Sequence, residues 1–311
     1  MSGKITVKSV NLSREKGTIK VPVERIVLNA HGVEGDAHAG AWHRQVSMLA
    51  RESIEKFENE AGRKIGFGEF AENITTEGML LYEANPLDRF VSEQVALEVT
   101  QIGKKCHGDA CAIFREVGNC VMPKEGIFCR VIKNGGLQAG DPMEYIPRTF
   151  HNTVVTLSDR ASKGEYEDRS GPGVVEHLEQ YYHTLGWKHE IDHHIIPDQA
   201  EQLDLLLKDA RVKKTDVFIT TGGTGIGPRD ITPEVVQHNL DMIIPGIMDA
   251  IRLKYGQEKP NALLSRSLAG VMGQTLVFAL PGSVKAIREY MPEILKSLRH
   301  MIMMLHHIDA H

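Results

Sequence analysis

At 311 residues the chain is long enough for about two domains of ordinary size, each with its own core. Hydrophobic residues at 41%, charged residues at 25% and a formal net charge of −5 describe an ordinary globular composition. They exclude a bulk pull toward nucleic acid, so an anionic ligand has to be held by local features.

The opening residues Met1–Val7 lack the apolar run of a signal peptide. No stretch approaches the ~20 apolar residues of a membrane span, so a soluble cytoplasmic protein is expected. Up to about Pro147 the chain reads as short extended runs between turns: Ile5–Val10, Thr18–Val21, Val95–Ile102 and Ile127–Lys133. One helix is expected there, over Met48–Ala61. Short strands with frequent glycines predict a mostly β unit, a barrel or a sandwich. Its four cysteines, Cys106, Cys111, Cys120 and Cys129, contain no Cys-x-x-Cys pair, which argues against a zinc ribbon. In a reducing cytosol they read as free thiols, at least one of them chemically active.

Gly140-Asp141-Pro142 closes this unit, and the boundary is placed near Pro147–His151, giving domains 1–147 and 148–311. Beyond it the pattern alternates. Strands are expected at Val154–Leu157, Glu190–Ile196, Val217–Thr220 and Leu276–Leu280, with helices over Gly171–Leu185, Gln199–Arg211 and from Thr232. That alternation predicts an α/β domain with a mostly parallel sheet between helices. Thr232 reads as an N-cap before Pro233, and Ser170 as an N-cap before Pro172. The His193-His194 and His306-His307 pairs read as solvated.

The turn Thr221-Gly222-Gly223-Thr224-Gly225 directly follows one of these strands. Its glycines let backbone N–H groups approach an anion unobstructed. Ser158-Asp159-Arg160, Pro197-Asp198 and Leu280-Pro281-Gly282-Ser283 end three further strands. In a parallel sheet the four turns share the edge where ligands bind. A Gly-Lys-Ser/Thr sequence is missing, and the glycines at 222, 223, 225 and 227 do not fit G-x-G-x-x-G, so neither usual nucleotide loop applies.

The ordered series Ser158-Asp159-Arg160-Ala161-Ser162, Asp168-x-Ser170-Gly171-Pro172, Pro197-Asp198, Thr221–Gly225, Pro228-Arg229-Asp230-x-Thr232-Pro233, Leu264-Ser265-Arg266 and Leu280-Pro281-Gly282 resembles the MogA-type molybdopterin adenylyltransferase family, with the related MoaB-like branch. The resemblance covers 152–300. It implies binding of molybdopterin and Mg-ATP and transfer of AMP to the pterin's phosphate. A phosphate nucleophile is already ionised, so catalysis would rest on positioning and charge neutralisation. The match implies Asp198 and Asp230 as the catalytic Mg²⁺ ligands, with Arg229 and Arg266 as phosphate partners. Ser158, Asp159, Arg160, Ser170, Thr221–Gly225, Ser265, Pro281, Gly282 and Ser283 would line the site. It also implies a homotrimer.

In the first half, Gly35-Asp36, Glu72-Asn73-Ile74, Val99-Thr100-Gln101 and Cys106 resemble the MOSC domain, a β-barrel associated with the sulfurated molybdenum cofactor. Cys106 is the matching position for a thiol that carries sulfur or ligates molybdenum, with Cys111 an open alternative. Lys104, Lys105 and His107 would favour its thiolate. Asp36, His38 and His43 read as turn and hydrogen-bonding residues. A cysteine desulfurase or a cofactor insertase is the partner class implied. Three rival roles stay open: a pterin carrier that does not adenylylate, a MOSC-centred sulfurtransferase or molybdenum reductase, and a structural assembly module.

Overall fold

The computed structural model describes residues 3–105 and 120–308. The chain divides into two compact units, Met1–Arg148 and Thr149–His311.

The first unit contains strands β1 (Gly3–Leu12), β2 (Val21–Val23), β3 (Arg25–Asn29), β4 (Gly32–Val33), β5 (Val46–Ala50), β6 (Ile74–Glu77), β7 (Arg89–Val91), β8 (Ala96–Ile102), β9 (Ile127–Lys133), β10 (Gly135–Gln138) and β11 (Pro142–Ile146). They pair in the order β11-β7-β8-β9-β5-β6-β1, and β1 pairs back onto β11. The ring is therefore closed, a barrel rather than a sandwich, and closure satisfies the edge N–H and C=O groups. Alternating side chains such as Ile5, Val7, Met48, Ile74, Leu97, Val99, Ile127 and Cys129 fill it.

Helix α1 covers Arg51–Ala61, not Met48–Ala61. Met48 pairs with Ile127 on one side and Ile74 on the other, and Met48, Leu49 and Ala50 are fully buried. Ladder bonds on both sides there outweigh the local helical pattern. The expected strand at Thr18–Val21 begins only at Val21, because Lys20 is buried and its N–H is given to Gly68 O at 2.9 Å.

The second unit contains β12 (Thr149–Leu157), β13 (Lys188–Ile196), β14 (Val217–Thr221), β15 (Met242–Ile243), β16 (Leu268–Met272) and β17 (Thr275–Leu280). The sheet runs β13-β12-β14-β17-β16-β15; its first four strands are mutually parallel, and β16 and β15 are antiparallel additions. The helices are α2 (Asp159–Ser162), α3 (Ser170–Leu185), α4 (Ala200–Lys213), α5 (Thr232–Asn239), α6 (Pro245–Gly256) and α7 (Val284–Leu305).

Alternation along β12 decides which helix covers which face. Val155 and Leu157 join Phe218, Val277 and Ala279 under α4 and α5. The even-numbered residues face α3: Phe150 stacks on Trp187 at 4.3 Å, and Tyr182 donates its hydroxyl to Asn152 Oδ1 at 2.7 Å. No helix among the described residues is long and apolar enough to cross a membrane.

Candidate functional site

Because β13, β12, β14 and β17 are parallel, their carboxyl ends lie on one edge and deliver the four turns side by side. The glycine loop leaves β14 between two obstacles. Gly222 has φ +101°, and a side chain there would overlap the Leu157 carbonyl. A Cβ on Gly282 would stand 3.0 Å from Gly222 Cα, so the β14 and β17 turns approach closely only as glycines.

The loop's carbonyls are spoken for. Gly222 O accepts from Thr232 Oγ1 at 2.8 Å and Gly223 O from Thr232 N at 3.1 Å. Thr232 therefore braces the loop rather than capping α5, whose N-cap position is Ile231 with no side-chain bond. Thr224 O accepts from Arg266 N at 2.9 Å, and Gly225 O from Arg266 Nε at 2.6 Å. The rest of the Arg266 guanidinium goes to Asp230 O at 2.5 Å and to Glu234. Arg266, expected at the phosphate, thus holds the loop from behind. The N–H groups of Gly223, Thr224 and Gly225 donate to no acceptor among the described residues. Three successive unpaired donors form an anion nest.

Acidic groups flank the nest. Asp198 Oδ1 lies 3.7 Å from where a Cβ on Gly223 would stand, and Asp230 Oδ2 lies 2.8 Å from one on Gly225. Asp230 Oδ2 accepts from Gly227 N at 2.7 Å. Asp159 and Asp198 accept from each other's backbone N–H. Burial raises the Asp198 pKa; the charges of Asp159 and Asp230 add to this, while Asp159 N–H and Arg229 oppose it. Arg229 itself is largely exposed and pairs with Asp159 at 2.9 Å. Three carboxylates against one such cation leave local negative charge for a cation to offset. Among the described residues, however, no group of three or more His, Cys, Asp or Glu is placed to enclose a metal alone. A cation here would complete its shell from ligand phosphates and water. A cleft of about 540 Å³ is lined by Ile226, Asp230, Ile231, Glu234, Val235 and Arg266 among others.

The remaining expected residues divide between structure and surface. Ser158 caps α2 by accepting from Ala161 N at 3.2 Å, and Ser283 caps α7 by accepting from Ala286 N at 3.1 Å. Arg160 lies over the Tyr166 ring at 5.4 Å. Ser265 Oγ accepts from Ser267 N at 3.3 Å. Pro281 precedes the Gly282 contact. Ser170 is not the cap of α3: Asp168 accepts from its N–H, while Ser170 Oγ meets Thr221 Oγ1 at 2.8 Å.

Asp168 carries a role not expected from the sequence, although its spacing two residues before Ser170 is the signal of an Asx cap. His193, expected in solvent, is exposed as a residue, with its imidazole 3.2 Å from Asp168 Oδ2. His306 is partly buried, 3.9 Å from Asp216, whereas His194 and His307 are exposed.

In the first unit, Cys106, Cys111 and His107 lie outside the described residues. Cys129 is buried, and burial pushes its thiol pKa far up, with Glu98 adding to the shift. Asp36 is buried as the centre of a network with Lys20, Ser13 N, His38 N and Asn73 Nδ2. Nearby, Arg44 lies over Trp42 at 4.7 Å, and Lys104 lies 6.0 Å from the Phe128 ring.

Two family models match. A "Probable molybdopterin binding domain" covers residues 153–300, and a MOSC domain covers 35–144. The molybdopterin adenylyltransferase of Helicobacter pylori is 35% identical over half of this chain and 87% of its own length. That of Pyrococcus furiosus is 39% identical over 49% of this chain and 88% of its own length. Gephyrin of Dictyostelium discoideum is 38% identical over 48% of this chain, which spans 21% of that protein.

Proposed function

The chain belongs, through residues 153–300, to the molybdopterin-binding family of molybdenum cofactor biosynthesis, with a MOSC domain ahead of it, and on that premise we propose that its second unit transfers AMP from ATP to molybdopterin. The observation that carries this reading is the trio of unpaired N–H donors at Gly223, Thr224 and Gly225 between Asp198 and Asp230. The nest binds a phosphate without adding a mobile cation, and the loop's carbonyls are tied back so that its donors stay aimed.

Transfer joins a terminal phosphate oxygen of the pterin to the α-phosphorus of ATP, and pyrophosphate leaves with the electron pair of the broken bond. The nucleophile needs no base. What the protein has to supply is alignment of two polyanions and relief of their repulsion. Asp198 and Asp230 are the residues that would hold Mg²⁺, which neutralises phosphate charge when bound. Arg229, exposed at the mouth, supplies the protein's own positive charge and holds Asp159 in place. A trimer through this unit belongs to the same reading, to be checked by sedimentation.

A second reading has one observation in its favour. Arg266 spends its guanidinium on the protein's own acceptors, which suits a carrier that holds a pterin phosphate without stabilising a transfer. The MOSC unit, in our reading, handles sulfur or the molybdenum cofactor through Cys106. Incubation with molybdopterin and Mg-ATP separates the readings: the transferase releases pyrophosphate and forms adenylylated pterin, whereas the carrier binds pterin and releases none.

A further inference from the structure

We infer that His193, acting through Asp168, is a positioning residue for the glycine loop, an assignment that rests on the anion-loop reading above. Neither residue lies in the four turns. Both sit on the α3 face of the sheet, and a chain of hydroxyls links them to the residue from which the loop springs.

Asp168 Oδ1 accepts from Ser170 N and Ser170 Oγ, each at 2.9 Å, and from Gly171 N at 3.2 Å. With its proton given to Asp168, Ser170 Oγ is left to accept from Thr221 Oγ1 at 2.8 Å. Thr221 is the last residue of β14, bonded directly to Gly222. Asp168 Oδ2 takes the proton of Thr156 Oγ1 at 2.6 Å. Thr156 Oγ1 can then only accept from His193 Nε2 at 3.1 Å, and the same nitrogen lies 3.2 Å from Asp168 Oδ2. The donors therefore all point toward one carboxylate, and His193 carries its proton on Nε2.

The packing around the pair is tight. A side chain at Gly171 would run into His193, Thr156 and Asp168 together. Asp168 also consumes the N–H groups of Ser170 and Gly171, and Pro172 has none to offer. The end of α3 is thus closed to an outside anion, and its hydrogen bonds fix the strand end that carries the loop. Removing the imidazole leaves Asp168 Oδ2 and Thr156 short of a donor and frees the chain to reorient.

The test uses the full chain with His193→Ala and His193→Gln, since a glutamine amide N–H can stand where the Nε2–H stands. In ¹H–¹⁵N spectra, the Gly222 and Gly223 amide resonances are expected to shift in His193→Ala and to stay near wild type in His193→Gln. In AMP transfer, His193→Ala is expected to raise KM for Mg-ATP about tenfold and His193→Gln to stay within about twofold of wild type. Identical behaviour of the two variants in both readouts overturns the assignment. If the wild-type chain transfers no AMP, the adenylylation reading fails, and the Gly222 and Gly223 resonances alone decide the positioning role.

Discussion

Asp159 and Asp198 hold each other's backbone: Asp159 Oδ1 accepts from Asp198 N at 3.1 Å, and Asp198 Oδ2 accepts from Asp159 N at 3.2 Å. The reciprocal pair ties the end of β12 to the end of β13 and orients Asp198 Oδ1 toward Gly223. Asp159→Ala removes an acceptor from Asp198 and the partner of Arg229. We expect a loss of AMP transfer on the order of 10- to 100-fold, with Asp159→Asn recovering most of it because the amide oxygen still accepts. Steady-state kinetics of both variants check this, and an Asp159→Ala enzyme as active as wild type would remove the pair from the account.

Gly222 needs both its positive φ and its missing side chain. Gly222→Ala is expected to destabilise the second unit by about 2–4 kcal/mol and to abolish ATP binding. Gly246 provides the contrast. It sits in the first turn of α6, and a Cβ there meets nothing within 4 Å. Gly246→Ala should be neutral or stabilising by up to about 1 kcal/mol. Denaturant melts and calorimetric titration with Mg-ATP read out both variants.

The strands were legible wherever an apolar run ended in a glycine or proline turn, as at Val217–Thr221 and Ile127–Lys133. The convergence of four turns followed from parallel pairing alone. The roles of individual polar residues were less visible, because they depend on partners far away in sequence. Thr232 and Ser170 both have N-cap composition, yet one hydroxyl donates to Gly222 O and the other to Asp168 Oδ1. Arg266 looked like a phosphate ligand, and only the fold reveals the loop carbonyls 41 residues earlier that claim it. Met48–Ala50 read as helix because a window of sequence contains no information on β6 and β9 waiting on either side.

The buried Asp36 gives the first unit a pH dependence of defined sign. Burial works to raise its pKa, but hydrogen bonds from His38 and Lys20 outweigh it and hold the carboxyl far below the usual range. A depressed folded-state value contributes stability above the unfolded value of about 4, and this is lost as pH falls through the folded value. Asp36→Asn should therefore lower the thermal midpoint at about pH 7, and the gap to wild type should narrow at about pH 3. A gap that widens on acidification would reverse the assignment. Lys20→Met should destabilise by about 3–5 kcal/mol at neutral pH, because it strands a buried carboxylate.

Thiol reactivity separates the two described cysteines. Cys129 is fully buried, its Sγ 3.6 Å from Met48 Sδ, and burial holds it as the thiol. Cys120 is partly exposed. Iodoacetamide at neutral pH should label Cys120 and spare Cys129 until the barrel is unfolded, as peptide mass spectrometry would report.

The central claim is that the glycine loop and its two aspartates transfer AMP rather than merely hold a pterin. The most direct measurement is formation of adenylylated pterin from molybdopterin and Mg-ATP by wild type, Asp230→Asn and Cys106→Ala. The account predicts transfer by wild type and Cys106→Ala, and a loss of about 100-fold or more in Asp230→Asn. Pterin binding without transfer in all three proteins, or transfer that depends on Cys106 and not on Asp230, would contradict it.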